Sequence, residues 1–341
     1  MRRPAVLAVD GGASKMDAVL LRKDGTVLAA RRVASVDYEE TGDARFLDSI
    51  ERAVHAACEE AGIDPACHPV ADVGVYCLAG ADLPVDDRRI GRGLRARAWT
   101  ERDLLRNDTF AVLRAGTDRT WGVGVVCGSG TNCTGVAPDG RIYRFAAIGD
   151  VSGDWGGAWD LGQEALWFAL RAEDGRGEPT SLASRVAEHF GVRRARQVME
   201  GLYLHRLDPG KIPRLAPVVF AEARTGDKVA RSIVDRQADE IAAMATAAIR
   251  KLRMTRLDPD VVLGGGVFRN GWEPFFTRIE DRIHATAPSA RVVRLTAPPV
   301  VGAAMLGLDV VGGPRAAHAR ARATLTHERL SAETSPERER S

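Results

Sequence analysis

The sequence predicts an α/β protein built from two similar domains, and two observations lead to this fold class. A short apolar strand near the start is followed by a glycine-rich turn at residues 10–15, and the same arrangement recurs at residues 128–132. Between and after these turns, apolar strands alternate with segments of helical periodicity. Two such turns in one chain, alike in topology although not in residue identity, favour a duplicated domain.

The individual elements follow from the apolar pattern. Apolar runs at residues 6–9 and 18–21 flank the first turn and predict a hairpin, and Asp24-Gly25 predicts the next turn. Apolar residues at helical spacing predict a helix over 43–61 and, most clearly, one over 232–253. The other predicted elements are strands at 71–79, 103–107, 260–263 and 291–295, a hairpin over 121–144, and helices at 86–98, 109–115, 160–172, 182–190, 195–203, 272–287 and 300–310.

The chain length of 341 residues suggests two domains. We expect a first lobe over residues 1–115 and a second lobe over 116–311, with a helical insertion at about 160–255. From residue 312 to residue 341 the chain is dominated by arginine, glutamate, alanine and serine and shows no apolar periodicity. That composition predicts a disordered tail.

Composition and charge exclude several classes of partner. The net charge is +2 and 45% of the residues are apolar, so the overall field indicates neither a nucleic acid nor a membrane surface as partner. No apolar run is long enough for a membrane span, and the N-terminal residues lack a signal-peptide core and cleavage site. The five cysteines are odd in number and lack CxxC spacing, which is typical of reduced thiols. We therefore expect a cytoplasmic protein.

The first glycine-rich turn suits a nucleotide phosphate. Gly11 and Gly12 let backbone N–H groups approach an anion, and Ser14 and Lys15 can donate to phosphate oxygens. Asp10 would repel bare phosphate, so its presence suggests a Mg²⁺ ion between the two. The alternative is an ordinary surface hairpin, because neither a Walker A loop nor a GxGxxG fingerprint follows the strand.

Two further glycine-rich segments are candidates for contact with a nucleotide. The second turn contains Gly128, Ser129, Gly130, Thr131 and Asn132, which repeats the glycines and hydroxyls of the first. Gly264, Gly265 and Gly266 follow a buried strand and are either a tight turn or a flat backbone surface for an adenine or a ribose.

Several aspartates are candidates for chemistry. Asp108 lies between a short strand and a helix, where it is either an N-cap or a base that accepts a substrate hydroxyl proton. Asp154 lies in the glycine-dense loop 149–157, which favours close approach to a ligand over a flexible connection. Trp155 could stack on a sugar or fill a space between domains. Asp37 and Asp82 follow predicted strands, and a surface position is the alternative for each.

In this order, the three glycine-rich segments resemble the two phosphate loops and the adenosine loop of the actin/hexokinase-like ATPases. Within that superfamily the chain is similar to the N-acetylglucosamine kinase branch, the BadF/BadG/BcrA/BcrD-type ATPases, over roughly residues 4–311. The resemblance implies two RNase H-like domains with ATP in the interdomain cleft, and ATP and Mg²⁺ as cofactors.

The resemblance also implies a role for each matched residue. Asp10 would hold Mg²⁺ through water, and Asp108 would be the general base. The residues implied at the nucleotide are Gly11, Gly12, Ser14, Lys15, Gly128, Ser129, Gly130, Gly264, Gly265 and Gly266, and those implied at the sugar are Asp37, Asp108, Thr131, Asn132 and Asp154.

The chain departs from the family at two positions that face the sugar. N-acetylglucosamine kinases read Gly-Asp-Glu-Gly-Ser where this chain has Gly153-Asp154-Trp155-Gly156-Gly157, and they have Asn where Asp37 aligns. The resemblance therefore implies ATP use and leaves the sugar open. An extra carboxylate at Asp37 would favour an amino sugar over an N-acetylated one.

These observations predict an ATP-dependent sugar kinase that phosphorylates an amino sugar such as N-acetylglucosamine, with the C6 hydroxyl as the expected acceptor. One rival is an ATPase that activates a radical dehydratase or reductase, which needs cysteines to hold an iron–sulfur cluster between subunits. Cys127 and Cys133 flank the second turn, but no persuasive cluster pair is evident. Another rival is a non-catalytic sensor of sugar or nucleotide. The expected partner is a small sugar, and the resemblance allows a homodimer.

Overall fold

The computed structural model describes residues 3–36 and 38–331, without the side chains of residues 38–41 and 43. Asp37, one of the expected sugar-binding residues, therefore lies outside the described residues. The described residues form two compact units, one within Met1–Gly124 and Val293–Ser341 and one within Val125–Val292. Strands and helices alternate and form two five-stranded sheets, which confirms the predicted α/β class.

The strands and helices are defined as follows. The strands are β1 Val6–Gly11, β2 Lys15–Leu21, β3 Val27–Ala34, β4 Ala71–Leu78, β5 Thr100–Asn107, β6 Gly122–Cys127, β7 Thr131–Val136, β8 Ile142–Arg144, β9 Asp260–Gly264 and β10 Arg291–Arg294. The helices are α1 Tyr38–Glu60, α2 Pro84–Arg97, α3 Asp108–Gly116, α4 Ala158–Glu173, α5 Leu182–Phe190, α6 Ala195–Tyr203, α7 Ala216–Arg224, α8 Lys228–Lys251, α9 Glu273–His284, α10 Val300–Val310, α11 Arg315–Thr324 and α12 His327–Ser331.

The first sheet has the strand order β3-β2-β1-β4-β5. The pairs β1/β2 and β2/β3 are antiparallel, whereas β1/β4 and β4/β5 are parallel. In this register Asp10 pairs with Asp17 on one side and with Cys77 on the other. Since carboxyl ends of parallel strands meet at one edge of a sheet, β1, β4 and β5 all deliver their following loops to the same edge.

Both faces of the first sheet are covered by helices, which explains why its central strands β1 and β4 are largely apolar. Val6 and Ala8 of β1 pack with α3, α10 and α11 in one hydrophobic cluster. Leu7 and Val9 point to the opposite face and pack with α1 and α2 in a second cluster. The two-residue alternation of a strand separates these two sets of side chains.

The second sheet has the strand order β10-β9-β6-β7-β8, with β7 and β8 antiparallel. Helices α4–α9 lie in the second unit, and α8 packs against α7, α9 and β7. The predicted helix over 232–253 corresponds to α8, which begins one turn earlier because Asp227 caps it by accepting from the Ala230 backbone N–H at 2.8 Å.

The compact units differ from the predicted lobe boundaries, because residues 293–331 pack with the first unit. The structure also differs from the expectation of a disordered tail from residue 312. Residues 315–331 form α11 and α12, and Ala317, Ala321, Leu325 and Leu330 are buried in the cluster below the first sheet. Three of these residues repeat every four positions, so they share a narrow apolar face despite the surrounding arginines. Residues 332–341 lie outside the described residues.

Candidate active site

The first glycine-rich turn joins β1 to β2, and its two glycines have different roles. A Cβ atom on Gly11 would lie 2.5 Å from Met16 Sδ and 2.8 Å from Leu78 Cδ2, so packing requires glycine there. A Cβ atom on Gly12 would contact nothing within 4 Å. The Gly12 N–H donates to Lys15 O at 3.0 Å, and Ser14 is exposed. The open part of the turn is therefore Gly12 and Ser14.

Asp10 ends up as a nearly buried carboxylate with 7% exposure. Burial raises the pKa of Asp10 to about 7; Lys15 and Arg32 act against this shift, while Asp17 adds to it. No hydrogen bond to the Asp10 carboxylate is formed within the described part of the chain. A desolvated carboxylate without a donor fits a cation bound in front of it.

Lys15 is held by a buried ion pair that the sequence analysis missed. Asp17 of β2 is fully buried, and the Arg32 guanidinium of β3 donates to it through Nε at 2.6 Å and through Nη2 at 2.8 Å. Lys15 Nζ also reaches Asp17 Oδ2 at 3.4 Å. The sequence signal was Asp17, a charged residue that lies between the apolar residues Met16 and Ala18 of β2.

The structure brings Asp108 to the edge of the sheet where β1, β4 and β5 end. The N-cap of α3 is Asn107, which accepts from the Thr109 backbone N–H at 3.0 Å, so Asp108 is the first helical residue and not the cap. Asn107 Nδ2 also donates to Asp82 Oδ1 at 2.8 Å. Burial, followed by the nearby carboxylates of Asp10 and Asp82, raises the pKa of Asp108 well above its usual range.

The second glycine-rich turn joins β6 to β7 in the second unit. Gly128 and Gly130 have open space where a Cβ would be, and Ser129 and Gly130 are exposed. Thr131 is buried, with its hydroxyl 3.4 Å from Cys127 Sγ. The Asn132 side chain accepts from the Cys133 backbone N–H at 2.6 Å.

Hydrogen bonds from the N-terminus of α4 hold this second turn in place. The backbone N–H groups of Ala158 and Trp159 donate to Gly128 O at 2.8 Å and to Ser129 O at 3.0 Å. A Cβ atom on Gly157 would lie 2.4 Å from Ser129 O, so the loop and the turn are in backbone contact there. The second turn is therefore positioned by the loop that precedes α4.

Within that loop, Asp154 is half-buried and accepts a hydrogen bond from the Ser152 hydroxyl. The Asp154 backbone N–H donates to Gly149 O at 3.2 Å. Asp160, which the sequence analysis did not single out, accepts from the Gly156 N–H at 2.7 Å. Burial raises the pKa of Asp160, and the hydrogen bond from Gly156 opposes that shift.

The three consecutive glycines that begin with the last residue of β9 also divide into two kinds. Gly265 has a φ of 119°, and a Cβ atom there would lie 2.3 Å from Cys127 O. Backbone packing against β6 thus explains Gly265 without a ligand. Gly266 is exposed, and a Cβ atom on it would contact nothing within 4 Å. Gly264 is the buried last residue of β9.

Each unit carries part of the predicted set. The first unit holds Asp10, Gly11, Gly12, Ser14, Lys15 and Asp108, and the second holds Gly128, Ser129, Gly130, Thr131, Asn132, Asp154, Gly264, Gly265 and Gly266.

Among the described residues, no group of three or more His, Cys, Asp or Glu side chains could hold a metal ion by itself. Within residues 3–36 and 38–331, no helix combines the length and apolar content that a membrane span requires.

Two curated proteins are similar to this chain along most of their length. An N-acetyl-D-glucosamine kinase from Dictyostelium discoideum is 25% identical over 326 residues, which cover 91% of this chain and 99% of that protein. An N-acetylmuramic acid/N-acetylglucosamine kinase from Clostridium acetobutylicum is 24% identical over 275 residues, which cover 78% of this chain and 86% of that protein.

Solved structures show the same fold. A candidate N-acetylglucosamine kinase from Chromobacterium violaceum superposes with a TM-score of 0.68 at 24% identity, covering 90% of this chain and 99% of that one. A hexokinase from Schistosoma mansoni in complex with glucose superposes with a TM-score of 0.56 at 14% identity, covering 90% and 86%. These likenesses confirm the predicted actin/hexokinase-like fold.

The family itself follows from a match along nearly the whole chain. The sequence profile of the BadF/BadG/BcrA/BcrD ATPase family matches residues 7–307. That range includes both glycine-rich turns, the aspartates at the edge of the first sheet and the glycines after β9. The chain therefore belongs to the BadF/BadG/BcrA/BcrD ATPase family.

Proposed function

We propose that the protein is an ATP-dependent sugar kinase that transfers the γ-phosphoryl group of ATP to an amino sugar such as N-acetylglucosamine, at the C6 hydroxyl. Membership of the ATPase family supports ATP as the donor. The names of the two curated relatives, both N-acetylglucosamine kinases, support the class of acceptor.

The observation that carries this proposal is the placement of Asp108. Its carboxylate lies on the first residue of α3, at the carboxyl edge of the sheet and in the electrostatic range of Asp10. A base that is desolvated and close to another carboxylate binds a proton more strongly than a free carboxylate does. That property suits a group that removes a proton from an alcohol during phosphoryl transfer.

In the proposed reaction, the sugar hydroxyl oxygen attacks the γ-phosphorus of ATP. A new oxygen–phosphorus bond forms, the bond between the γ-phosphorus and the β,γ-bridging oxygen breaks, and ADP leaves with the bond's electron pair. The proton of the hydroxyl passes to an Asp108 carboxylate oxygen. Lys15 stabilises the negative charge on the transferred group, together with backbone N–H groups of the glycine-rich turns other than those of Gly12 and Gly128, which donate within the turns.

The nucleotide is assigned to the open parts of the glycine-rich segments. Gly12, Ser14 and Lys15 serve one set of phosphate oxygens, and the exposed turn from Gly128 to Gly130 serves another. Gly266, where a Cβ atom would meet open space, is assigned to the adenosine. Gly11 and Gly265 pack closely against neighbouring residues and Gly264 is buried, so these three glycines have a structural role.

Magnesium fits this arrangement through Asp10. Mg²⁺ retains several waters and takes one or two carboxylates together with substrate phosphates, so one donor-free carboxylate meets its needs and a closed cage of side chains is not required. When bound, Mg²⁺ supplies charge neutralisation of the phosphates. Asp10 would hold the ion through water.

The sugar is assigned to the loop before α4. Asp154 offers a half-buried carboxylate to sugar hydroxyls, and Thr131 and Asn132 lie at the start of β7, near the phosphate turn. Asp37 stays a proposed sugar ligand outside the described residues.

A cytoplasmic location and a homodimer stay predictions. Light scattering on the purified protein measures the oligomeric state.

The rival activator function needs cysteines that meet at a subunit surface. Cys58, Cys77, Cys127 and Cys133 are buried, and only Cys67 of the five is exposed. Burial raises the pKa of the Cys127 thiol to about 12, which disfavours the thiolate that ligates iron. These side chains do not fit a shared iron–sulfur cluster, and the kinase is favoured over the activator.

An ATP-consumption screen tests the proposal. Purified protein with ATP and Mg²⁺ is offered glucosamine, N-acetylglucosamine, N-acetylmuramic acid, glucose and mannose, and ADP release is measured against a no-sugar blank. We expect strong stimulation by an amino sugar and a phosphorus–carbon coupling to C6 in the NMR spectrum of the product. ATP hydrolysis that is equally fast without any sugar would contradict the kinase assignment.

A further inference from the structure

We propose that Arg236 and Gln237, consecutive residues of α8, are positioning residues that clamp the loop 153–157 at two points, Arg236 for the sugar and Gln237 for the nucleotide. This inference rests on the proposed kinase function. Both contacts lie within the second unit.

The first point of the clamp is a stack between Arg236 and Trp155. The Arg236 Cζ atom lies 3.9 Å from the centroid of the Trp155 ring, the shortest such distance among the six cation–π pairs of the described residues. Arg236 Nη1 also donates to Glu164 Oε1 of α4 at 2.8 Å, and this second contact restrains the guanidinium. The indole that follows Asp154 is therefore held against α8.

The second point of the clamp is a hydrogen bond from the Gly157 backbone N–H to Gln237 Oε1, at 2.7 Å. Gln237 is fully buried, and its Nε2 has no hydrogen-bond partner. A Cβ atom on Gly156 would lie 2.5 Å from that Nε2 and 2.7 Å from Thr131 Oγ1. The two glycines of the loop thus allow its backbone to lie directly on the amide.

A buried amide with an unpaired donor costs free energy, and an apolar side chain of the same shape would avoid that cost. Gln237 occupies the apolar face of α8, one turn from Ile233 and one turn from Ile241. Packing alone does not explain a glutamine there. Its Oε1 atom provides the acceptor that the Gly157 N–H needs.

The two points serve different ends of the loop. Trp155 adjoins Asp154, the proposed sugar ligand. Gly157 adjoins Ala158 and Trp159, whose N–H groups hold the carbonyls of the second phosphate turn. Loss of the Arg236 contact should therefore weaken sugar binding, and loss of the Gln237 contact should weaken nucleotide binding.

Steady-state kinetics on the sugar that the wild type phosphorylates separates the two effects. Arg236→Ala should raise the KM for the sugar by roughly 3- to 30-fold, the range of a cation–π contact, and leave the KM for ATP unchanged. Arg231→Ala is the matched control, because Arg231 lies on the same helix and stacks on Trp272 at 4.5 Å. It should leave both KM values unchanged. A Trp155→Leu background should abolish the effect of Arg236→Ala, since the two side chains act as one unit.

Gln237 is tested with two variants of similar shape. Gln237→Met removes the acceptor and should raise the KM for ATP by about tenfold, the cost of a buried donor left unpaired. Gln237→Glu retains an acceptor oxygen, and burial favours its neutral form, so it should restore most of the ATP affinity. Calorimetric binding of ATP provides a second readout that does not depend on turnover.

Any one of three results would overturn the clamp in an active wild-type enzyme. The first is an Arg236→Ala variant whose sugar KM shifts no more than that of Arg231→Ala. The second is a folded Gln237→Met variant with wild-type ATP affinity, and the third is a Gln237→Glu variant as impaired as Gln237→Met. A wild-type protein that transfers phosphoryl to no sugar would instead refute the proposed function, so the two failures are distinguishable.

Discussion

Asn107 Nδ2 donates to Asp82 Oδ1 at 2.8 Å, while Asn107 Oδ1 accepts from the Thr109 backbone N–H at 3.0 Å. One buried amide therefore fixes both the carboxylate that follows β4 and the first turn of α3, where Asp108 lies. An aspartate at position 107 could accept but could not donate, so the amide is specifically suited to this place.

The first prediction concerns the base. Asp108→Asn should lower kcat by about 10²-fold or more, because a neutral amide cannot accept the hydroxyl proton. ATP affinity, measured by calorimetry, should persist. Because the folded-state pKa of Asp108 is raised, ionisation at neutral pH opposes folding, and the asparagine variant should be at least as stable as the wild type in a thermal melt. Near-normal turnover on the true substrate would show that another group is the base.

The second prediction separates two adjacent glycines. Gly266→Val should raise the KM for ATP by about tenfold, the equivalent of about 1.4 kcal/mol, at an unchanged melting temperature, because the side chain enters open space above the proposed adenosine surface. Gly265→Val should instead lower the melting temperature, since its φ of 119° and the Cys127 backbone exclude a Cβ. Backbone strain of this kind costs about 1–3 kcal/mol. Unchanged ATP affinity in Gly266→Val would contradict the adenosine role.

The third prediction concerns the C-terminal helices. Leu325 is 1% exposed, so Leu325→Ala should lower the free energy of unfolding by about 2–4 kcal/mol, the usual cost of a large-to-small change in a core. Leu204→Ala is the matched control, because Leu204 is 48% exposed. It should change the free energy of unfolding by less than about 0.5 kcal/mol. Urea unfolding measures both. Equal, small effects would indicate that α11 and α12 add little to the first unit.

The fourth prediction tests the buried ion pair beside the first phosphate turn. Arg32→Leu leaves the fully buried Asp17 with only Lys15 at 3.4 Å and should cost about 3 kcal/mol of unfolding free energy. Adding Asp17→Leu to it should recover part of that loss, because the unpaired charge is then removed. The double variant should still show a raised KM for ATP, since Lys15 has lost its partner. Strict additivity of the two substitutions would argue against the pair.

The glycine-rich turns and the strands around them were predictable because their signals are local. Apolar runs broken by small residues specify β1, β2, β6 and β7 without reference to the rest of the chain. Asp108 was predicted next to a strand end for the same reason. The sequence alone could not decide whether Asp108 is a base or the N-cap of α3. The structure decides against the cap, because Asn107 caps α3.

The missed residues act through contacts between distant segments. Asp17 and Arg32 meet only when β2 pairs with β3, and Gln237 meets Gly157 only when α8 packs behind the loop before α4. A charged residue in an apolar strand and a glutamine on the apolar face of a helix were the available signals. Each indicates that a partner exists, but periodicity carries no information about which residue it is.

Helix α10 belongs to the first unit although it follows the second unit in sequence, so the first unit is completed only late in synthesis. Residues 6–124 emerge from the ribosome well before residues 300–310, yet the Val6 and Ala8 face of the first sheet is covered by α10. At about 5–20 residues per second, that face stays without its cover for on the order of 10 s or more. In the second sheet, β6 waits in the same way for its neighbour β9, which follows much later in the sequence. The apolar face of the nascent first sheet is therefore exposed to chaperones until α10 has been made.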